Sequence, residues 1–112
     1  MKIAIIGSRG LILDDLGQYL PPDCTEIVSG GARGVDMGAR YYAKAHGIAL
    51  KEFLPDYTTF GHQAPLVRNR QIVDYADEVY AFWDGCSRGT RYVIDYAKRT
   101  GKPLRIFRVK RP

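Results

Sequence analysis

Five short runs along the chain are rich in apolar and β-branched residues, and between them apolar positions recur at helical spacing. The strand-like runs cover 2–6, 26–29, 48–54, 78–83 and 104–109. The first, "KIAII", is continuously apolar, as expected of a strand buried on both faces. Helical segments are predicted over 11–20, 34–46, 64–76 and 89–100. In the second of these, Val35, Ala39, Tyr42 and Ala43 stand at i, i+4, i+7 and i+8, and Gly47 closes it. The last carries Thr90, Val93, Ile94 and Ala97 on one face, with Gly101 and Pro103 as stop signals. Regular strand–helix alternation implies right-handed crossovers and a parallel sheet covered on both sides. The predicted class is therefore α/β, a Rossmann-like three-layer sandwich with a mostly parallel sheet of about five strands.

Composition narrows this picture without changing it. At 112 residues and 46% hydrophobic content the chain is most simply one domain over 1–112. That length suffices to bury roughly two thirds of the unfolded surface. No apolar run approaches the ~20 residues needed to span a bilayer. The apolar run in "MKIAIIGSRG" is too short for a signal peptide, so a cytoplasmic protein without a membrane partner is expected. Cys24 and Cys86 lack the spacing of a metal knuckle or a redox pair, and both are expected as free thiols with no metal site. The net charge of +5 favours anionic partners. Much of it sits at the end, in Lys98, Arg99, Lys102, Arg105, Arg108, Lys110 and Arg111. The simplest reading of that cluster is a solvated helix face and a polar tail.

The segments joining strands to helices carry the chemistry. Three Arg-Gly pairs occur where composition alone predicts about one, and each follows a strand-like run: Gly7-Ser8-Arg9-Gly10, Gly30-Gly31-Ala32-Arg33-Gly34 and Cys86-Ser87-Arg88-Gly89. In open α/β sheets, ligands bind outside the carboxyl ends of the strands, and all three loops fall there. Glycines let backbone N–H groups approach an anion, and a following helix N-terminus adds partial positive charge. An adjacent Arg can clamp phosphate oxygens in a bidentate manner. A single such loop is also explained as a tight connection between elements. Three with Arg in the same place point to phosphate or pyrophosphate binding.

These residues resemble the SLOG superfamily, which includes the DNA-processing protein DprA and the LOG phosphoribohydrolases, and most of all its small stand-alone YpsA-related members. The resemblance rests on "IVSGGARGVD" (27–36), "YTTFGHQAPLVRNRQIV" (57–73), "ADEVYAFWDG" (76–85) and "RGTRYVIDYAKRTGKPL" (88–104). It implies a pocket for a nucleotide-derived molecule of the ADP-ribose, NAD or nucleoside monophosphate class, with no further cofactor. The phosphate would lie against Gly30, Gly31, Arg33 and Gly34. Ser87, Gly89 and Thr90 would form a second wall, and Gly7, Ser8 and Arg9 a neighbouring loop. LOG hydrolases carry PGGxGTxxE at the stretch corresponding to 84–93, and their glutamate falls on Val93 here.

Other residues have two readings each. Asp36, in the first turn of a helix, serves either the helix dipole or the hydroxyls of a ribose. Asn69 stands i+3 from Leu66 on an apolar face, where a buried amide must find partners. It either ties down a neighbouring loop or contacts ligand. Arg68 is either solvated or, by the resemblance, at the pocket rim. Asp84, at the end of a strand, is with Asp36 the candidate for acid/base catalysis. Cys86 precedes a helix but has no His near in sequence; the chain offers only His46 and His62, the latter read as a loop residue. Tyr57, Phe60 and Trp83 would suit base stacking, but such aromatics near strand ends are usually core.

The leading expectation is binding or sensing of a nucleotide-derived small molecule. An N-glycosidic hydrolase acting on a nucleoside monophosphate or NAD-like substrate is the alternative. DprA-like single-stranded DNA binding is a further one, ranked last because no aromatics interleave with the basic C-terminus; weak nucleic-acid binding and a homodimer stay open.

Overall fold

The computed structural model describes residues 1–8, 10–11, 15–31 and 34–110. The strands β1 (Lys2–Gly7), β2 (Glu26–Ser29), β3 (Ala49–Glu52), β4 (Glu78–Trp83) and β5 (Leu104–Arg108) form one sheet in the order β3-β2-β1-β4-β5. Every neighbouring pair is parallel; in the central strand Ile3 is in register with Ile27 of β2 and Ile5 with Tyr80 of β4. The helices are α1 (Val35–His46), the short α2 (Tyr57–Phe60), α3 (Ala64–Tyr75) and α4 (Arg88–Thr100).

Period-two alternation in the strands divides the interior into two layers. Ile3, Ile5, Ile27, Tyr80 and Phe82 face one side, where Val35, Ala39 and Ala43 of α1 pack with Leu11 and Leu16. Ala4, Ile6, Val28 and Val79 face the other, against Ile72 and Val73 of α3 and Val93 and Ala97 of α4. Helices on both faces of an all-parallel sheet make the expected Rossmann-like three-layer sandwich. From β1 the chain winds outward through β2 and β3, then crosses back to β4 on the other side of β1. The strand order reverses between β1 and β4, and a crevice opens at the carboxyl ends of such a pair.

Three local expectations are corrected. Of the helix expected over 11–20, residues 15–20 form only a 3₁₀ turn at Leu16–Gln18. Asp15 Oδ1 accepts the Gly17 N–H, a side-chain bond that competes with helix propagation, and Pro21 and Pro22 follow at once. Leu11 and Leu16 are nonetheless core residues. His62, read as a loop residue, lies in a 3₁₀ turn at Gly61–Gln63 that directly follows α2. Asp56 caps α2: its Oδ1 accepts the Thr59 N–H and its Oδ2 the Thr59 hydroxyl. Those bonds, the hydroxyl's foremost, hold the carboxyl below its ordinary pKa. The core assignment of Tyr57 and Phe60 also fails, because α2 buries no residue and both rings are exposed. A one-turn helix lying outside both interior clusters leaves these rings at the surface.

No helix among the described residues is long and apolar enough to cross a membrane. Cys24 and Cys86 are both free thiols.

Candidate functional site

A pocket of about 340 Å³ lies where β1 and β4 end. Four segments build it. β1 and its loop contribute Ile6, Gly7, Ser8 and Gly10; the β2–α1 connection contributes Gly30 and Asp36. One face of α3 contributes Pro65, Arg68, Asn69 and Ile72, and the start of α4 adds Ser87, Gly89, Thr90 and Val93. The topology explains this convergence. The switch point leaves the crevice open, and α3 and α4 pack over the same sheet face to wall it.

The pocket thus brings together Gly7, Ser8, Gly30, Asp36, Arg68, Asn69, Ser87, Gly89 and Thr90, residues far apart in the chain. Gly31, Gly34 and Asp84 are outside its lining. Arg9 and Arg33 lie outside the described residues, as do 12–14 of the first expected helix and Arg111 of the basic tail. Val93 stands where its spacing from Thr90 placed it; sequence reasoning missed Ile6, Gly10, Pro65 and Ile72. Spacing contained the signal for two of them: Pro65 and Ile72 stand three or four residues from Arg68 and Asn69 on one helical face.

Each wall has its own chemistry. Ser8 is 2% exposed, and its hydroxyl is buried without a hydrogen-bond partner among the described residues. Its backbone is held firmly: its N–H donates to the Phe82 carbonyl, and its carbonyl accepts the Leu11 N–H. Asp36 is buried in the first turn of α1. Arg68 donates through Nη1 to the Gly30 carbonyl at 2.8 Å and through Nε to Asn69 Oδ1 at 2.9 Å.

The start of α4 is capped from within. Asp84 Oδ1 accepts the N–H groups of Cys86 and Ser87 at 2.8 and 2.9 Å. Ser87 is the N-cap of α4; its Oγ accepts the Thr90 N–H and its hydroxyl donates to Thr90 Oγ1. Asp84 therefore shapes the loop behind the pocket wall. Trp83, half-buried, donates its indole N–H to the Ser87 carbonyl, and the Arg108 guanidinium lies over its ring. Beside Gly89 the site is open, with no described atom from outside its own stretch of α4 within 4 Å of the place a β-carbon would take.

The arrangement presents hydroxyls from two sides, a carboxylate and an amide, and the positive end of a thirteen-residue helix. The floor is aliphatic: Ile6, Ile72 and Val93. Such a set suits a polar ligand bearing acceptor oxygens and hydroxyls. No group of three His, Cys, Asp or Glu side chains among the described residues is arranged to hold a metal ion. Compared with family models, curated proteins and solved structures, the chain finds no match.

Proposed function

We propose that this pocket binds a nucleotide-derived small molecule, of the ADP-ribose, NAD or nucleoside monophosphate class, with its phosphate against the loops after β1, β2 and β4. One observation carries the reading: the Ser8 hydroxyl is buried in the pocket wall with no hydrogen-bond partner among the described residues. A buried hydroxyl left unbonded costs about 1–3 kcal/mol, and such exceptions call for an explanation. A ligand oxygen at the switch point supplies the missing bond. Thr90, also in the wall, offers a further hydroxyl to the same molecule, and Asp36 and Asn69 suit the hydroxyls of its sugar. The glycine loops and their likeness to SLOG sequences support the same ligand class. The protein acts as a binder or sensor, since the residue standing where LOG enzymes have their glutamate is Val93.

Ser8→Ala tests this by a paired signature in thermal unfolding with AMP, ADP-ribose and NAD. Removing an unsatisfied hydroxyl should leave the ligand-free variant as stable as the wild type or more so. The same change should weaken the bound nucleotide about tenfold, which is ~1.4 kcal/mol. A variant with an undiminished ligand-induced shift, or a wild type that responds to none of the three, overturns the reading.

A further inference from the structure

Arg68 and Gly30 are 38 residues apart in sequence and interlocked in space. A β-carbon at position 30 would fall 2.5 Å from Arg68 Nη1, 3.0 Å from its Cζ and 3.1 Å from Asp36 Oδ2. The first distance is shorter than side chains tolerate, so the guanidinium occupies the space that the missing side chain leaves. From there Nη1 donates to the Gly30 carbonyl, while Nε donates to Asn69 Oδ1. Nη1 and Nε are thereby both engaged with protein oxygens. Asn69, one residue along α3, orients the fork; the Gly30 carbonyl receives it.

We propose that Arg68 is a positioning residue, which acts on the ligand through the backbone at Gly30 rather than through its own charge. The segment that begins at Gly30 is glycine-rich, and ordering glycine backbone is entropically expensive. A bond from a packed helix to its first carbonyl fixes where the segment leaves β2. α3 thereby sets the course of the backbone at Gly30, where the loop begins against which, in the proposed function, the phosphate lies. The inference rests on that reading for its effect on affinity, but not for its effect on the loop. It makes a distinction that a phosphate clamp does not. A clamp needs positive charge, which Lys also supplies; the latch needs a planar fork whose Nε and Nη1 donate in fixed directions, which Lys cannot supply.

The test compares Arg68→Lys, Arg68→Ala and Gly30→Ala with wild type by two measurements. Amide hydrogen exchange at residues 29–31 is read without ligand, and AMP affinity is read by calorimetry over a range of salt. With Arg68 as latch, both Arg68 variants should speed exchange at these amides about tenfold and weaken AMP by similar factors. In Arg68→Lys the salt dependence of AMP binding should keep its wild-type slope, because the charge in the pocket wall is retained while the planar fork is lost. Gly30→Ala should weaken binding in the wild-type background and add little on top of Arg68→Ala, since the guanidinium it displaces is gone. Wild-type exchange and affinity in Arg68→Lys, with a flattened salt slope in Arg68→Ala, would overturn the proposal in favour of a charge contact. If even the wild type binds no AMP, the functional reading fails, and loop exchange alone decides the latch: acceleration in both Arg68 variants supports it, and wild-type exchange in Arg68→Lys refutes it.

Discussion

Val93 stands one helical turn after Thr90 and is 1% exposed, with its side chain in the pocket wall. A valine can neither polarise a leaving base nor stabilise an oxocarbenium-like sugar. A positioned acid or base typically contributes ~10²–10⁴-fold, and at this position the chain has none. Asp36 is the carboxylate of the described lining, and Asp84 is occupied with the N–H groups of Cys86 and Ser87. The purified protein should therefore release no free base from nucleoside 5′-monophosphates above an enzyme-free blank. Chromatographic detection of adenine at a few turnovers per minute, abolished by Asp36→Asn, would reverse that expectation. At this scale Val93 was legible because Thr90 and helix spacing locate it. The unpartnered hydroxyl of Ser8 was not, because satisfaction of a polar atom depends on every neighbour it meets.

The α4 N-terminus shows how an element is held for a site. Ser87 caps it, Asp84 braces the turn before it, and Gly85 between them has φ 88°. A β-carbon at Gly85 would also lie 2.5 Å from Arg108 Nη2, so the backbone conformation favours glycine there and a side chain would push the exposed end of Arg108 aside. Ser87→Ala should destabilise the protein by about 1 kcal/mol, the usual value of a lost N-cap. Gly85→Ala should cost more than that, because strain at positive φ adds to displacement of Arg108. Urea unfolding of both variants orders them, and a smaller effect at Gly85 would contradict this account of the turn. Helix α4 itself was evident from Thr90, Val93, Ile94 and Ala97, with Gly101 as its stop. The short α2 was hidden, since four residues that bury nothing leave no hydrophobic period to read.

Across the whole molecule, the sheet is tied at its amino end by Asp77. Its Oδ2 accepts the Lys2 N–H at 2.7 Å, and its own N–H donates to the Lys2 carbonyl. The bond from the Lys2 backbone, aided by the charges of Lys2, the N-terminus and Lys102, holds this carboxyl below its ordinary pKa. A carboxyl depressed in the folded state stabilises it above the unfolded pKa, and that contribution fades as pH falls through the folded one. Wild type should therefore melt higher than Asp77→Asn at neutral pH. The gap should close as pH drops below about 4 and the folded carboxyl takes up its proton. Melting temperatures of both proteins between neutral and strongly acidic pH check this; a gap constant with pH would show that the charge of Asp77 is immaterial.

The sequence by itself determined the layers and the end of the sheet where the pocket lies. A continuously apolar β1 requires cover on both faces, and alternation with 3.6-period segments supplies that cover in a parallel sheet. Glycine-rich turns then fall of necessity at the carboxyl ends of β1, β2 and β4. These are local consequences of periodicity and turn chemistry. Which polar groups face each other was decided only by tertiary packing. The two readings of Arg68 became one arrangement when α3 crossed to the β1–β4 side and met Gly30. The two readings of Asn69 became a bond to the neighbouring guanidinium inside the pocket wall. Gly31 and Gly34, indistinguishable from Gly30 in a loop motif, are not part of the described lining. Hydrogen-bond geometry depends on distances between segments remote in the chain, and no spacing along the sequence encodes those distances.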